Sequence, residues 1–158
     1  MSKQAPKMPL AAVVLGLMAM IATSGELLAE KRSFTIAAVE PKGSATVDKE
    51  PFPTAALPAG AGYSLSKPDP TGRWEVDVYV FMPSQIIVNQ GDDVTLNFVG
   101  INGMSHPTMI AGYDKSFLLK RGEVTAISFK ADKAGVFSID CGTHAPSMRA
   151  ELIVLPQK

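Results

Sequence analysis

The sequence predicts an all-β sandwich, on three observations. Residues 73–155 break into short runs in which apolar and polar residues alternate, the period at which successive side chains of a strand point to opposite faces. Turn residues such as Gln90-Gly91-Asp92-Asp93 separate these runs, at the spacing of roughly 8–12 residues usual in sandwiches and barrels. No stretch of this region carries apolar residues at convincing helical spacing.

The first run, Trp74-Glu75-Val76-Asp77-Val78-Tyr79-Val80, places Trp74, Val76, Val78 and Val80 on one face and mainly polar groups on the other. Residues 85–88 form a second strand. In residues 94–99 the shared face is Val94, Leu96 and Phe98, and in residues 124–130 it runs through Ile127 and Phe129. Residues 135–141 repeat the pattern through Phe137, Ile139 and Cys141, and residues 149–155 supply the closing strand. Six or seven strands are thus expected within residues 72–158. Residues 31–71 have a different texture, with Pro41, Pro51, Pro53, Pro58, Pro68 and Pro70 among Gly43, Gly60 and Gly62. Proline at this density favours extended, semi-rigid chain, so the segment reads as a tether, with at most one strand, at residues 33–39, added to the domain's edge.

Residues 1–30 read as an export segment. Lys3 and Lys7 precede residues 8–25, which carry no charge and are almost wholly aliphatic from Leu10 to Ala22. The run suits either a signal peptide cleaved after small residues, near Ala22-Thr23-Ser24 or Leu27-Leu28-Ala29, or a retained N-terminal membrane anchor. Either way the lysines stay cytoplasmic, and the rest of the chain is expected on the periplasmic or extracytoplasmic side.

Composition narrows the partners. Lysine plus arginine and aspartate plus glutamate total 15 each, so no long-range field gathers phosphates, and nucleic acid is not an expected partner. There are two histidines and one cysteine. A lone cysteine in an exported chain is paired between chains, left reactive, or bound to something. Strand parity turns Cys141 inward with Phe137 and Ile139, where it could also serve as a small buried hydrophobe. The stretch it opens speaks for a ligand: Cys141-Gly142-Thr143-His144-Ala145-Pro146-Ser147-Met148 brings thiolate, imidazole and thioether together in one tight loop. Soft sulfur with imidazole suits copper, and a His₂Cys set with a weak methionine is the pattern of electron-transfer copper sites. The second imidazole can only be His106, in a loop after residues 94–99, where Met104 and Met109 lie near enough to compete with Met148. Zinc is the rival metal, and one weak thioether makes a poor fourth ligand for its tetrahedral cage. Asp140 falls on the solvent side by alternation.

Residues 72–156 resemble a cupredoxin, the copper-binding Greek-key β-sandwich. The stretch from Arg121-Gly122-Glu123-Val124 to Ile139-Asp140-Cys141 is similar to that of nitrosocyanin and of the copper-A domains in oxidase subunit II and nitrous oxide reductase. The resemblance implies His106 as the early ligand and Cys141, His144 and Met148 as the C-terminal ligand loop. It departs from the dinuclear copper-A pattern, whose second cysteine is replaced here by Phe137. It departs from nitrosocyanin too, with His106 in place of a glutamate and Met148 in place of a second loop histidine. The implied protein is a monomeric carrier of one copper ion, cycling Cu(II) and Cu(I) with transient redox partners, membrane-bound or periplasmic, through His144 as the exposed ligand. The alternatives are a nitrosocyanin-like copper enzyme acting on a small molecule and a periplasmic copper carrier or storage protein. Residues 71–158 hold eight basic and nine acidic side chains, so docking should depend weakly on salt.

Overall fold

The computed structural model describes residues 29–60 and 62–157, so the expected export or anchor segment lies almost wholly outside the described residues. No helix among the described residues is long and apolar enough to cross a membrane. The chain forms strands throughout, beginning with β1 (Lys31–Val39), β2 (Lys42–Thr46) and β3 (Tyr63–Ser66). Then come β4 (Arg73–Val78), β5 (Val80–Met82), β6 (Gln85–Asn89), β7 (Asp93–Gly100) and β8 (Ser105–Ile110). The last four are β9 (Lys115–Lys120), β10 (Val124–Lys130), β11 (Gly135–Cys141) and β12 (Arg149–Leu155).

A four-stranded sheet in the order β10-β7-β1-β5 packs on a five-stranded sheet in the order β6-β12-β11-β8-β9. The alternation read from the sequence sets the core. Val94, Leu96 and Phe98 of β7 are buried, and they meet Ile139, Cys141, Ala150, Leu152 and Val154 from the facing sheet. Phe98 sits between Phe81 and Phe117, with ring centroids 5.8 and 5.1 Å away. Offset and edge-on aromatic contacts of this kind add modestly to the area they bury.

The tether expected over residues 31–71 is corrected by β1, β2 and β3. β1 is not an edge strand: it lies between β7 and β5, parallel to β7 from Lys31 opposite Asp93 to Ala38 opposite Gly100. Ile36 and Ala38 have no exposed surface, and fully burying an isoleucine side chain contributes about 1.5–3 kcal/mol. The folded unit therefore includes residue 31 and does not begin at 72. β2 and β3 flank β4 in a separate three-stranded sheet. The proline-rich connection folds back on it, where Phe52 meets Trp74 edge-on at 5.6 Å and the Trp74 indole N–H donates to the Glu50 carbonyl at 2.9 Å. The expected continuous strand through Val80 breaks at Tyr79, where the chain leaves the three-stranded sheet for the four-stranded one.

Asp92 fastens β1 to the sandwich. Its buried carboxylate accepts from the backbone N–H groups of Glu30 at 3.0 Å and Asn89 at 2.9 Å, with Arg32 Nε 3.5 Å away. Burial, the largest single influence, pushes the carboxyl up, but the two N–H donors and the Arg32 charge together outweigh it and hold it below its usual value. The ionised form is thus the one the fold prefers. Its contribution is complete above the unfolded value near about 3.9 and is lost as pH falls through the lower folded value. Asp92→Asn is expected to cost about 2–4 kcal/mol in urea unfolding at pH 7, with the gap to the parent closing below about pH 4. A gap of equal size at both pH values would show that the charge is not its source.

Candidate metal centre

β11 ends on Cys141, whose inward parity leaves its thiol with no exposed surface. The next residues curl back because Ala145 N–H donates to the Cys141 carbonyl at 3.0 Å and Met148 N–H to the His144 carbonyl at 3.0 Å. Cys141 N–H in turn donates to the Met148 carbonyl at 3.1 Å, and Gly142 N–H to that of Pro107 at 2.8 Å. These bonds close the loop and return His144 over the cysteine, with its Nδ1 3.6 Å from Cys141 Sγ.

His106 comes from the neighbouring strand. The expected loop is corrected here: His106 is the second residue of β8, which pairs with β11 and β9. Its Nδ1 lies 3.9 Å from Cys141 Sγ and 3.2 Å from His144 Nδ1. Its Nε2 is 2.8 Å from the Asn102 carbonyl, which can only accept, so Nε2 carries the proton and Nδ1 presents its lone pair to the cluster. The Asn102 loop is itself pinned to β1, since Ile101 N–H donates to the Ala38 carbonyl at 2.9 Å and Glu40 N–H to Asn102 Oδ1 at 3.1 Å. Gly103 allows the close approach: at φ +73°, a Cβ there would sit 2.7 Å from His106 Cε1 and Nε2.

Sγ and two Nδ1 atoms therefore converge from two adjacent strands and a loop, within 4.8 Å of one another. Burial, and then the neighbouring His106, push the His144 imidazole below its usual value, with Glu40 opposing. At neutral pH its ring is uncharged and its lone pair free for a metal. Met148 is fully buried in the same core cluster as Cys141 and joined by backbone bonds to both Cys141 and His144. Met104 and Met109 are exposed, at 85% and 50%, and stand outside this buried cluster. Asp140 turns away from it and binds Arg149 Nε across the strand pair at 2.5 Å.

No protein-family model and no curated protein matches the chain. Solved structures do. A copper nitrite reductase from Nitrosomonas europaea matches with 19% identity and a TM-score of 0.53 over 80% of this chain and 42% of its own. A blue copper oxidase from the same organism matches with 18% identity and a TM-score of 0.53, over 81% of this chain and 40% of its own. The multicopper oxidase mgLAC gives 19% identity and a TM-score of 0.53 over 82% and 40%. The fold is a cupredoxin fold. The chain spans about two fifths of the length of these copper proteins, and the likeness is one of fold. Within a cupredoxin fold, one thiol and two imidazole nitrogens form a donor set that fits copper and supports its binding.

Two features of this site leave almost no trace in the sequence. Asn102, four residues before His106, fixes the tautomer, a contact whose only sequence trace is a carbonyl within reach of a nearby ring. Tyr79 stacks on His144 with centroids 4.0 Å apart and planes 24° apart, and nothing in the alternation of its strand announces that role.

Proposed function

We propose that the chain holds one copper ion on His106, Cys141 and His144, with Met148 as a weak fourth ligand, and passes single electrons. The observation that carries this reading is the convergence of Cys141 Sγ with the two Nδ1 atoms, two of the three residues being fully buried. Copper so held would supply a one-electron couple between Cu(II) and Cu(I). The protein's own part is to keep His106 in the Nε2–H tautomer, to keep His144 neutral, and to exclude water from Cys141. Donors fixed by backbone bonds and packing need little rearrangement when the charge at the site changes, which suits a carrier.

The export segment would place this domain outside the cytoplasmic membrane, anchored or secreted, where it would meet redox proteins transiently. β1 enters at the end of the sandwich opposite the site, because Lys31 pairs with the first residue of β7 and Ala38 with its last. Seven strand steps separate those ends by about 25 Å. A partner reaching the site would thus approach the end remote from Lys31, which favours a soluble protein or an extramembranous domain.

Copper loading tests the reading. One equivalent of Cu(II) is expected to give an intense thiolate-to-copper band in the red part of the visible spectrum, bleached reversibly by a one-electron reductant. Met148→Gln is expected to retain copper but lower the reduction potential, because an oxygen donor favours Cu(II) over Cu(I). A pale, irreducible complex would remove the carrier function, and an unchanged potential would remove Met148 from the ligand set.

A further inference from the structure

We propose that Tyr79 is a positioning residue that closes the open face of the His144 imidazole against exogenous ligands, and that the small β2-β4-β3 sheet serves the site by carrying it. The inference deepens the copper reading and rests on it for the metal-bound consequence, though not for the ring contact itself.

Among the three converging donors, His144 alone is part-exposed; His106 and Cys141 are buried. The exposed part of its ring borders a cavity that Tyr63, Tyr79 and Thr143 also line, from which a water molecule or small anion would approach. Tyr79 covers one face of the ring on that side. The near-parallel stack on His144 is accompanied by a tilted contact to His106, with centroids 5.2 Å apart, so one phenol ring touches both imidazoles. Parallel, close aromatic contact of this kind restricts ring rotation as well as burying area.

The backbone reinforces the cover. Ser147 Oγ lies 3.0 Å from the Tyr79 carbonyl, 3.1 Å from that of Gly62 and 2.9 Å from that of His144, so its single proton is shared among the residues flanking the small sheet and its own loop. Tyr79 N–H donates to Gly62 O at 3.4 Å. Gly62, at φ +78°, has no room for a side chain: a Cβ would run into Ser147 Oγ and the His144 carbonyl. The small sheet is therefore fitted closely to the ligand loop at Gly62 and Tyr79, with the Tyr79 ring as its aromatic contact to the ligands.

The mechanism is steric. Tyr79 covers one face of His144, and a metal ion held on the three donors would be screened from that face, which would favour electron exchange over the binding of a small substrate. Removing the ring leaves His144 free to turn and opens that side.

The test compares the parent protein with Tyr79→Phe, Tyr79→Ala and Tyr79→Leu. In the metal-free proteins, the His144 ring protons are expected to show an upfield ring-current shift in the parent and in Tyr79→Phe, and to lose it in Tyr79→Ala and Tyr79→Leu. In the Cu(II)-loaded proteins, azide is the probe. Tyr79→Ala is expected to bind it several-fold to about tenfold more tightly than the parent, the scale of one aromatic stack, while Tyr79→Phe matches the parent. Should Tyr79→Ala fail to fold, Tyr79→Leu decides, since it keeps apolar bulk without the aromatic face. Unchanged ring shifts and unchanged azide affinity in a folded variant lacking the ring would overturn the proposal. If the parent takes up no copper, the copper reading fails, and the metal-free shifts alone still decide whether Tyr79 holds His144.

Discussion

A chain shortened to begin at Thr71 is expected to lose both its cooperative unfolding transition and its capacity to hold the metal donors together. The shortened chain lacks β1, and with it the central pairing of the four-stranded sheet, because β7 and β5 are not neighbours and both pair with β1. Ile36 and Ala38 leave the core, opening a gap beside Phe81, Leu96 and Phe98 in the same buried cluster. A large-to-small change at one buried isoleucine costs about 2–5 kcal/mol, and a domain of this size has only about 5–15 kcal/mol in hand, so loss of a whole interior strand exceeds what remains. The site suffers directly as well. The Ala38 carbonyl and the Glu40 N–H pin Asn102, and Asn102 orients His106. Circular dichroism and urea unfolding of residues 29–158 beside residues 71–158 would measure this. A shortened chain with an equal midpoint and equal copper stoichiometry would show that β1 is dispensable.

The strands that carry Cys141 and the ligand loop are legible in the sequence because their signal is local. In β11 and β12 the alternation, the turn residues and the inward parity of Cys141 all lie within residues 135–155, and the structure has both strands with the predicted bounds. β1 carries the same alternation through Phe34, Ile36 and Ala38, yet its place in the sheet is not legible. A parallel partner about sixty residues away leaves no mark on the strand itself, and the nearby prolines suggest free chain. Those prolines fall chiefly in the connections between strands, at residues 51–58 and 68–70. β8 is hidden for the opposite reason. Pro107 argues against a strand with neighbours on both sides, but here its carbonyl is used by Gly142 and the missing N–H falls beside the site. Contacts such as Tyr79 on His144 join segments far apart in the chain and are set by tertiary packing alone.

Cys141→Ser is expected to abolish the intense visible band of the copper-loaded protein and to lower its affinity for copper by orders of magnitude, while leaving the sandwich intact. The thiolate is the one soft, anionic donor in the cluster, and a serine hydroxyl at neutral pH is neither. The fold should tolerate the change, because serine is slightly smaller than cysteine and fits the same buried space. The nearest imidazole nitrogens stand 3.6 and 3.9 Å from the cysteine sulfur, too far for the shorter serine side chain to bond, so the buried hydroxyl should cost about 1–3 kcal/mol. His106, His144 and Met148 remain in this variant, so residual copper would be bound without a thiolate, with the weak visible absorption of such complexes. Equilibrium dialysis against a competing chelator gives the affinity, the visible spectrum gives the thiolate band, and thermal unfolding of the metal-free forms gives the cost to the fold. A variant that keeps both its colour and its affinity would place copper away from Cys141, and the two histidines would then need another reason for meeting 3.2 Å apart.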